Sequence, residues 1–212
     1  MKIKKINKEF ILEKEMIPII IKEFCQKFDV RYYIEEFETG NGIPDIVFAK
    51  GVKHRFHKKM DYDSYHFISE VLQTKEVKFN DKVIDYEKYK ELKNYLIKNN
   101  YIEEKESNKY IRKKLFKPLL GDIIAIEAKL SDWKNGFYQA LRYKYFAHES
   151  YLALSKSKIK NVDKSLLNKQ GIGLISVDIN NIEIIIKPKK SSPINTASYL
   201  YSSQKFYETI QN

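Results

Sequence analysis

The 212-residue sequence has a single cysteine and lacks any long apolar run. The lone thiol, Cys25, excludes an internal disulfide and a zinc cluster built from cysteines. No apolar stretch approaches the roughly 18 residues that cross a bilayer, and the N-terminal residues lack the apolar segment of a signal peptide. We therefore expect a soluble, cytoplasmic protein that has no membrane partner. The sequence shows no internal repeat.

The charge balance is strongly basic, with a formal net charge of +11 at pH 7 and a pI of about 9.3. Such an excess favours a polyanionic partner such as nucleic acid. A general abundance of lysine, isoleucine, asparagine and tyrosine explains the charge equally well, so charge alone does not identify the partner. The length fits one domain with a large insertion, or two small domains.

The N-terminal region predicts a helix over residues 7–28, because apolar side chains recur there at three- and four-residue spacing. Glu13 falls on this apolar stripe, between Phe10 and Ile17. A buried carboxylate needs a partner, so Glu13 is a candidate functional residue. The alternative is that it lies at the edge of the stripe beside a lysine or water.

A hairpin is predicted next, with strands over residues 30–38 and 43–50 and a turn at Asn41-Gly42. The return strand begins with Pro44-Asp45, where the missing proline N–H is tolerated. The Asp45 carboxylate therefore lies beside a strand that is expected to be buried.

Residues 52–118 differ in character from the rest of the chain. They contain 17 basic and 11 acidic residues, a net charge of +6. Helices are predicted over residues 62–73 and 85–99, followed by a short strand, a polar turn and a basic return strand. This order resembles the second half of a winged helix, in which a helix enters a DNA groove and a β-hairpin contacts the backbone. The alternative is a helical insertion that packs on the main domain or on another subunit.

The most informative stretch runs from Asp122 to Lys134. An apolar β-branched run there predicts a central strand that is buried on both faces. Side chains alternate along a strand, so Glu127 and Lys129 point to the same face. Glu127-Ala128-Lys129 is one of five acid-x-Lys tripeptides, but the other four lie in charged stretches or at a helix start. Alternation of strands with helices around this strand predicts an α/β core.

A helix is predicted over residues 133–148, with small residues facing the sheet and Gln139 and Arg142 flanking that face. Further strands are predicted over residues 150–155, 173–178 and 182–187, and further helices over residues 162–169 and 196–210.

Pro44-Asp45, Glu127-Ala128-Lys129 and Gln139-Ala140, in this order and context, resemble the motifs of the PD-(D/E)XK nuclease superfamily. The resemblance implies a three-layer α/β restriction-endonuclease-like core with a mixed central sheet, formed by residues 1–51 and 119–212, and a basic subdomain inserted at 52–118. It also implies a metal-dependent endonuclease that hydrolyses DNA phosphodiester bonds.

The resemblance implies that Asp45 and Glu127, with the Ala128 backbone carbonyl, hold Mg²⁺. Mn²⁺ is expected to substitute for Mg²⁺. Lys129 is expected to activate the attacking water. Glu13 is expected to bind a second metal or a water, and Gln139 to hold Lys129 or a phosphate.

The basic side chains expected to contact DNA phosphates are Lys109, Arg112, Lys113, Lys114 and Arg142. A homodimer is expected if both strands of a duplex are cut. Three alternatives remain open. The chain is a non-catalytic DNA-binding protein that uses the insertion, or an RNA-directed nuclease, or the charges at the strand end form a structural Glu127–Lys129 pair with Asp45 in an Asx turn.

Overall fold

The computed structural model describes residues 10–53, 58–79, 86–106 and 109–211. The strands in chain order are β1 (Tyr32–Glu35), β2 (Ile46–Ala49), β3 (Glu76–Lys78), β4 (Ile102–Glu106), β5 (Lys109–Arg112), β6 (Ile123–Lys129), β7 (Glu149–Ser155), β8 (Gly173–Val177) and β9 (Ile182–Ile186). The α-helices are α1 (Ile17–Phe28), α2 (Tyr62–Val71), α3 (Tyr86–Lys98), α4 (Trp133–Tyr143), α5 (Lys164–Gln170) and α6 (Thr196–Gln211).

The main sheet has six strands in the order β1-β2-β6-β7-β8-β9. β6, β7 and β8 are parallel, whereas β1, β2 and β9 run antiparallel to their neighbours. The predicted α/β class is therefore confirmed, with a mixed central sheet. β2 pairs directly with β6, so the chain leaves this sheet after β2 and returns to the adjacent position about 70 residues later.

Helices cover both faces of the main sheet because its central strand is apolar at odd and even positions alike. Ile124 and Ile126 pack with Phe24 of α1 on one face. Ile123 packs on the other face with residues from α4 and α6, among them Phe206. The strand is thus buried on both sides up to its last residues, where charged side chains begin.

The second sheet has three antiparallel strands in the order β3-β5-β4. Its strands and the helices α2 and α3 share a separate apolar cluster, which includes Tyr65, Leu96 and Tyr110. Ala197 and Leu200 of α6 also pack into this cluster, so the last helix contacts both sheets. β3 lies at one of the acid-x-Lys tripeptides and was not predicted as a strand.

The first helix differs from its prediction. The α-helix begins at Ile17 and not at residue 7, although residues 7–9 lie outside the described residues. Pro18 stands in its first turn, where a proline is tolerated; deeper inside a helix its ring would clash with the preceding turn. Glu13 consequently lies in a short 3-10 turn, Glu13–Glu15, ahead of the helix. None of the described helices is both long and apolar enough to span a bilayer.

Candidate active site

Asp45 immediately precedes β2 and lies opposite the end of β6. Its Oδ2 accepts a 2.7 Å hydrogen bond from the backbone N–H of Ala128. The N–H and C=O of one residue in an extended strand point to the same side, so the Ala128 carbonyl also faces the side of Asp45. The Asp45 carboxylate is therefore bonded across the sheet, and the Asx-turn alternative does not describe it.

The side chains of Glu127 and Lys129 project from the C-terminal end of β6 and contact each other directly. Glu127 is only 1% exposed. Its Oε1 accepts a hydrogen bond from Lys129 Nζ at 2.6 Å, and its Oε2 accepts one from the Tyr143 hydroxyl at 2.5 Å. Both oxygens of this buried carboxylate thus accept hydrogen bonds, one from a donor on the same strand and one from a donor on α4.

Glu13 reaches the same place from the N-terminal 3-10 turn. Its Oε1 accepts a 3.1 Å hydrogen bond from the backbone N–H of Leu130, and its Oε2 lies 3.5 Å from Lys129 Nζ. Residues from three distant parts of the sequence therefore meet around the end of β6.

The charge of this cluster is unbalanced, with three carboxylates around one ammonium group. Burial raises the pKa of Asp45, and the negative charges of Glu13 and Glu36 raise it further. Burial likewise raises the pKa of Glu127, with a second contribution from Asp45. Burial alone would lower the pKa of Lys129, but the hydrogen bond and charge of Glu127 outweigh it and the pKa is raised. The site therefore holds Lys129 protonated and favours any additional cation.

A cleft of about 290 Å³ opens beside Asp45. It is lined by residues from the 3-10 turn, α1 and the end of β1, namely Glu13, Lys14, Ile17, Pro18, Glu35, Glu36 and Asp45. Glu36 has a left-handed backbone with φ of 49°, and its N–H donates to the Asp45 carbonyl at 3.0 Å. A non-glycine residue in this conformation stores strain of roughly 1–3 kcal/mol and is common at functional sites.

Helix α4 shapes the other side of the site. A Cβ on Gly136 would lie 2.8 Å from Lys129 Cγ and 2.6 Å from Leu152 Cδ1, so only glycine leaves room for the Lys129 side chain. The buried Oε1 of Gln139 has no hydrogen-bond partner among the described residues, and Gln139 does not bind Lys129 in this structure. Arg142 is exposed at the surface of α4.

Tyr143 is the residue of the site that sequence reasoning underestimated. The sequence motifs do not indicate the hydrogen bond that its hydroxyl donates to Glu127. Its hydroxyl also lies 3.2 Å from the Ile43 carbonyl, so it joins α4 to the hairpin. Burial raises the pKa of Tyr143, and the Glu127 charge raises it further, so the hydroxyl stays a donor. No sequence signal identified Glu36.

The predicted phosphate contacts other than Arg142 lie in or after β5 of the second sheet, apart from the carboxylate site. Lys109 Nζ lies 2.5 Å from Glu106, and Lys113 Nζ lies 2.6 Å from Glu103. Both pairs are largely exposed.

The remaining two basic residues have different partners. The Arg112 guanidinium donates to the carbonyls of Leu72 at 2.6 Å and Gln73 at 3.2 Å, just after α2 ends. Lys114 Nζ lies 4.5 Å from the centre of the Tyr101 ring. Arg112 is therefore engaged in holding the second sheet to α2.

The donor set at the end of β6 is compatible with a hard cation. Among the described residues no group of three or more histidine, cysteine, aspartate or glutamate side chains surrounds a single point. Mg²⁺ does not need such a cage, since it keeps several waters and is usually held by one or two carboxylates. Glu127 is buried and Asp45 is half-buried, and the pKa values of both are raised. With only one ammonium partner between them they fit that requirement, because a negative charge removed from water needs a compensating charge.

No protein-family model matches the chain, and no curated protein matches it. A solved structure of SPO1766, a protein of unknown function from Silicibacter pomeroyi, matches part of it with 18% identity and a TM-score of 0.32. The match covers 42% of this chain and 58% of that one, so this chain spans less than two thirds of that protein. A likeness this low carries no argument about fold family or function.

Proposed function

We propose that this protein is a Mg²⁺-dependent endonuclease that hydrolyses DNA phosphodiester bonds at a PD-(D/E)XK-like site. The observation that carries the proposal is the meeting of Asp45, Glu127 and Lys129. Asp45 lies 83 residues from its Ala128 partner, yet all three side chains gather at one strand end. A restriction-endonuclease-like core is part of the same proposal.

Asp45 and Glu127 would hold the cation, with the Ala128 carbonyl as a third oxygen. When bound, Mg²⁺ lowers the pKa of water and screens the negative charge of the scissile phosphate. The raised pKa values of the two carboxyls support this assignment, since a cation stabilises their ionised forms.

Lys129 would orient the attacking water and stabilise developing negative charge. Its raised pKa keeps Nζ protonated, so it acts as a cation and not as the base. Gly136 leaves space for its side chain, and Glu13 Oε2 lies 3.5 Å from Nζ. Tyr143 holds Glu127 in place by donating to Oε2.

The insertion would position the DNA. Its strand order β3-β5-β4, with α3 preceding β4, supports a winged-helix-like arrangement. Lys109 and Lys113 are paired with exposed glutamates, and such surface pairs contribute little to stability because water screens them, so both lysines remain able to exchange their partners for phosphates. Arg142 would contact phosphate nearer the carboxylates. We expect affinity to fall by more than tenfold between about 50 and 200 mM salt.

The test is cleavage of supercoiled plasmid with Mg²⁺, Mn²⁺ or excess chelator. Lys129→Ala should abolish nicking. Lys134→Ala is its matched control, because Asp132-Trp133-Lys134 is another acid-x-Lys tripeptide but Lys134 is exposed. If Lys129→Ala and the control cleave equally, the active site is misassigned.

The same assay separates the alternatives. Salt-dependent binding without any metal-dependent cleavage would favour a non-catalytic DNA-binding protein that uses the insertion. Competition between labelled DNA and labelled RNA decides between a DNA-directed and an RNA-directed nuclease. If the protein cleaves RNA preferentially and Asp45→Ala abolishes that cleavage, the site is assigned correctly and the substrate is RNA.

A further inference from the structure

Strand β1 forms an outer edge of the main sheet, and no other described strand pairs with its outer side. Its two tyrosines remain 40% and 41% exposed. An open edge presents unpaired N–H and C=O groups that readily accept another strand.

The hydrogen-bonding pattern of β1 shows which residues have backbone N–H and C=O groups that face away from the sheet. The Glu36 N–H donates to the Asp45 carbonyl at 3.0 Å, so it faces β2, and the Glu35 carbonyl on the opposite side of the same peptide unit faces away from the sheet. Inward and outward residues alternate along an antiparallel strand. The N–H and C=O groups of Tyr33 and Glu35, and of Arg31 just before the strand, therefore face away from the sheet.

The outward residues are self-complementary in charge. In Arg31-Tyr32-Tyr33-Ile34-Glu35 a basic and an acidic residue lie at equal distances on either side of Tyr33. Both are exposed, and neither forms an ion pair within the described parts of the chain. We propose that β1 pairs antiparallel with β1 of a second copy of this chain, on a two-fold axis through Tyr33.

This register follows from hydrogen bonding and charge together. Outward N–H and C=O groups of two antiparallel copies can bond when the two-fold axis passes through any residue from Arg31 to Glu35, so charge decides among these axes. An axis at Tyr32 or Ile34 places Tyr33 opposite Arg31 or opposite Glu35 and forms no Arg31–Glu35 pair. An axis at Arg31 opposes two arginines, and one at Glu35 opposes two glutamates, and directly opposed like charges are destabilising. The axis at Tyr33 instead opposes each Arg31 to a Glu35 and forms about six backbone hydrogen bonds.

The consequence for catalysis rests on the proposed function. A two-fold axis perpendicular to the sheet keeps both active sites on one face. With strands 4.8 Å apart and a rise of about 3.3 Å per residue, the two sites would lie roughly 25–30 Å apart. Each site could then act on a different strand of a duplex, which yields double-strand breaks.

The interface is small, so the dimer should depend on concentration. Sedimentation equilibrium of the full chain, from about 1 to 100 µM, is the direct test. Arg31→Glu alone and Glu35→Arg alone should each weaken dimerisation at least about tenfold, because each opposes like charges. The double variant Arg31→Glu/Glu35→Arg should return to within about threefold of the wild type, since it restores opposite charges in reversed order.

Lys134→Glu, which makes the same charge change on exposed α4, is the control and should leave the dimer unchanged. A wild-type monomer at every concentration, or a double variant no better than the singles, would overturn the proposal. Thermal unfolding of each variant checks that the fold is intact.

Plasmid products then separate the two proposals. Arg31→Glu should still nick but should give less linear product than the wild type. A wild-type dimer without nicking would refute the proposed function and leave the interface standing. Nicking by a wild-type protein that stays monomeric would refute the interface and leave the proposed function standing.

Discussion

The Asp45 carboxylate accepts a 2.7 Å hydrogen bond from the backbone N–H of Ala128, a residue 83 positions further along the chain. This bond fixes the start of β2 against the end of β6 and brings Asp45 beside Glu127. It also means that the residues between the two strands leave the sheet and return to it without disturbing the site.

Asp45→Asn should abolish metal-dependent cleavage while leaving the fold intact. The amide keeps the size of the side chain but loses the charge, and the raised pKa shows that this charge is disfavoured by its surroundings. Loss of a metal ligand should lower the cleavage rate by at least about a hundredfold, or about 2.7 kcal/mol. Rates are measured on plasmid, with Asp178→Asn on an exposed ion pair as control. Activity near the wild-type rate in Asp45→Asn would exclude Asp45 from the site.

Lys129→Met should abolish cleavage and also destabilise the protein. It removes the ammonium partner of a carboxylate that is 1% exposed, which costs on the order of 3 kcal/mol. Adding Glu127→Gln should recover most of the stability, because no buried charge is then left unpaired, but none of the activity. Denaturant unfolding of the two single variants and the double variant measures the coupling. Additive losses would mean that the pair is not coupled.

Gly136→Ala should lower both stability and activity. The new methyl group would lie 2.6 Å from Leu152 Cδ1 and 2.8 Å from Lys129 Cγ, so one of these side chains must move. We expect a loss of about 1–3 kcal/mol, greater than the gain in helix propensity. Asn135→Ala, exposed on the same helix, is the control and should stay within about 0.5 kcal/mol. Full activity in Gly136→Ala would show that Lys129 does not depend on this close packing.

The stability of the metal-free protein should fall as the pH rises past the carboxyl range. The pKa values of Asp45 and Glu127 are raised above 3.8 and 4.5 in the folded state, so each binds its proton more tightly than in the unfolded chain. Their contribution is therefore fully present below these ordinary values and is lost as pH rises through the raised ones.

Mg²⁺ at neutral pH should restore this stability. At a free Mg²⁺ concentration of ten times its dissociation constant, the free energy of unfolding should rise by about 1.4 kcal/mol. Thermal unfolding between pH 4 and 8, with and without Mg²⁺, measures both effects. The Asp45→Asn/Glu127→Gln protein should show neither the difference with pH nor the response to Mg²⁺. An equal Mg²⁺ response in that variant would place the cation elsewhere.

Gln204→Ala should weaken the link between α6 and the insertion. Gln204 Oε1 accepts hydrogen bonds from the Met60 N–H and the Tyr65 hydroxyl, and its Nε2 donates to the Met60 carbonyl. All of these groups are buried, so their loss should cost roughly 2–4 kcal/mol. Gln211→Ala, at the exposed end of the same helix, is the control. Unchanged stability in Gln204→Ala would mean that water replaces the amide.

The sequence by itself determined the α/β class and most of the strands of the main sheet, because hydrophobic periodicity is a local property of the chain. It also determined that Glu127 and Lys129 share a face, since side chains alternate along any strand. Hydrophobic periodicity does not indicate the short β3 because two of its three residues are charged. The first helix begins later than its apolar periodicity predicts because Pro18 is tolerated only in the first turn of a helix.

Only the tertiary structure decided that Asp45 lies beside Glu127. That contact depends on which strands pair across 83 residues, and strand pairing is set by long-range packing that no local pattern encodes. The same holds for the hydrogen bond from Tyr143 to Glu127, the space that Gly136 leaves for Lys129, and the left-handed backbone of Glu36. The sequence shows the residue types that suggest a nuclease, whereas their assembly into one site depends on the packing of β2, β6 and α4.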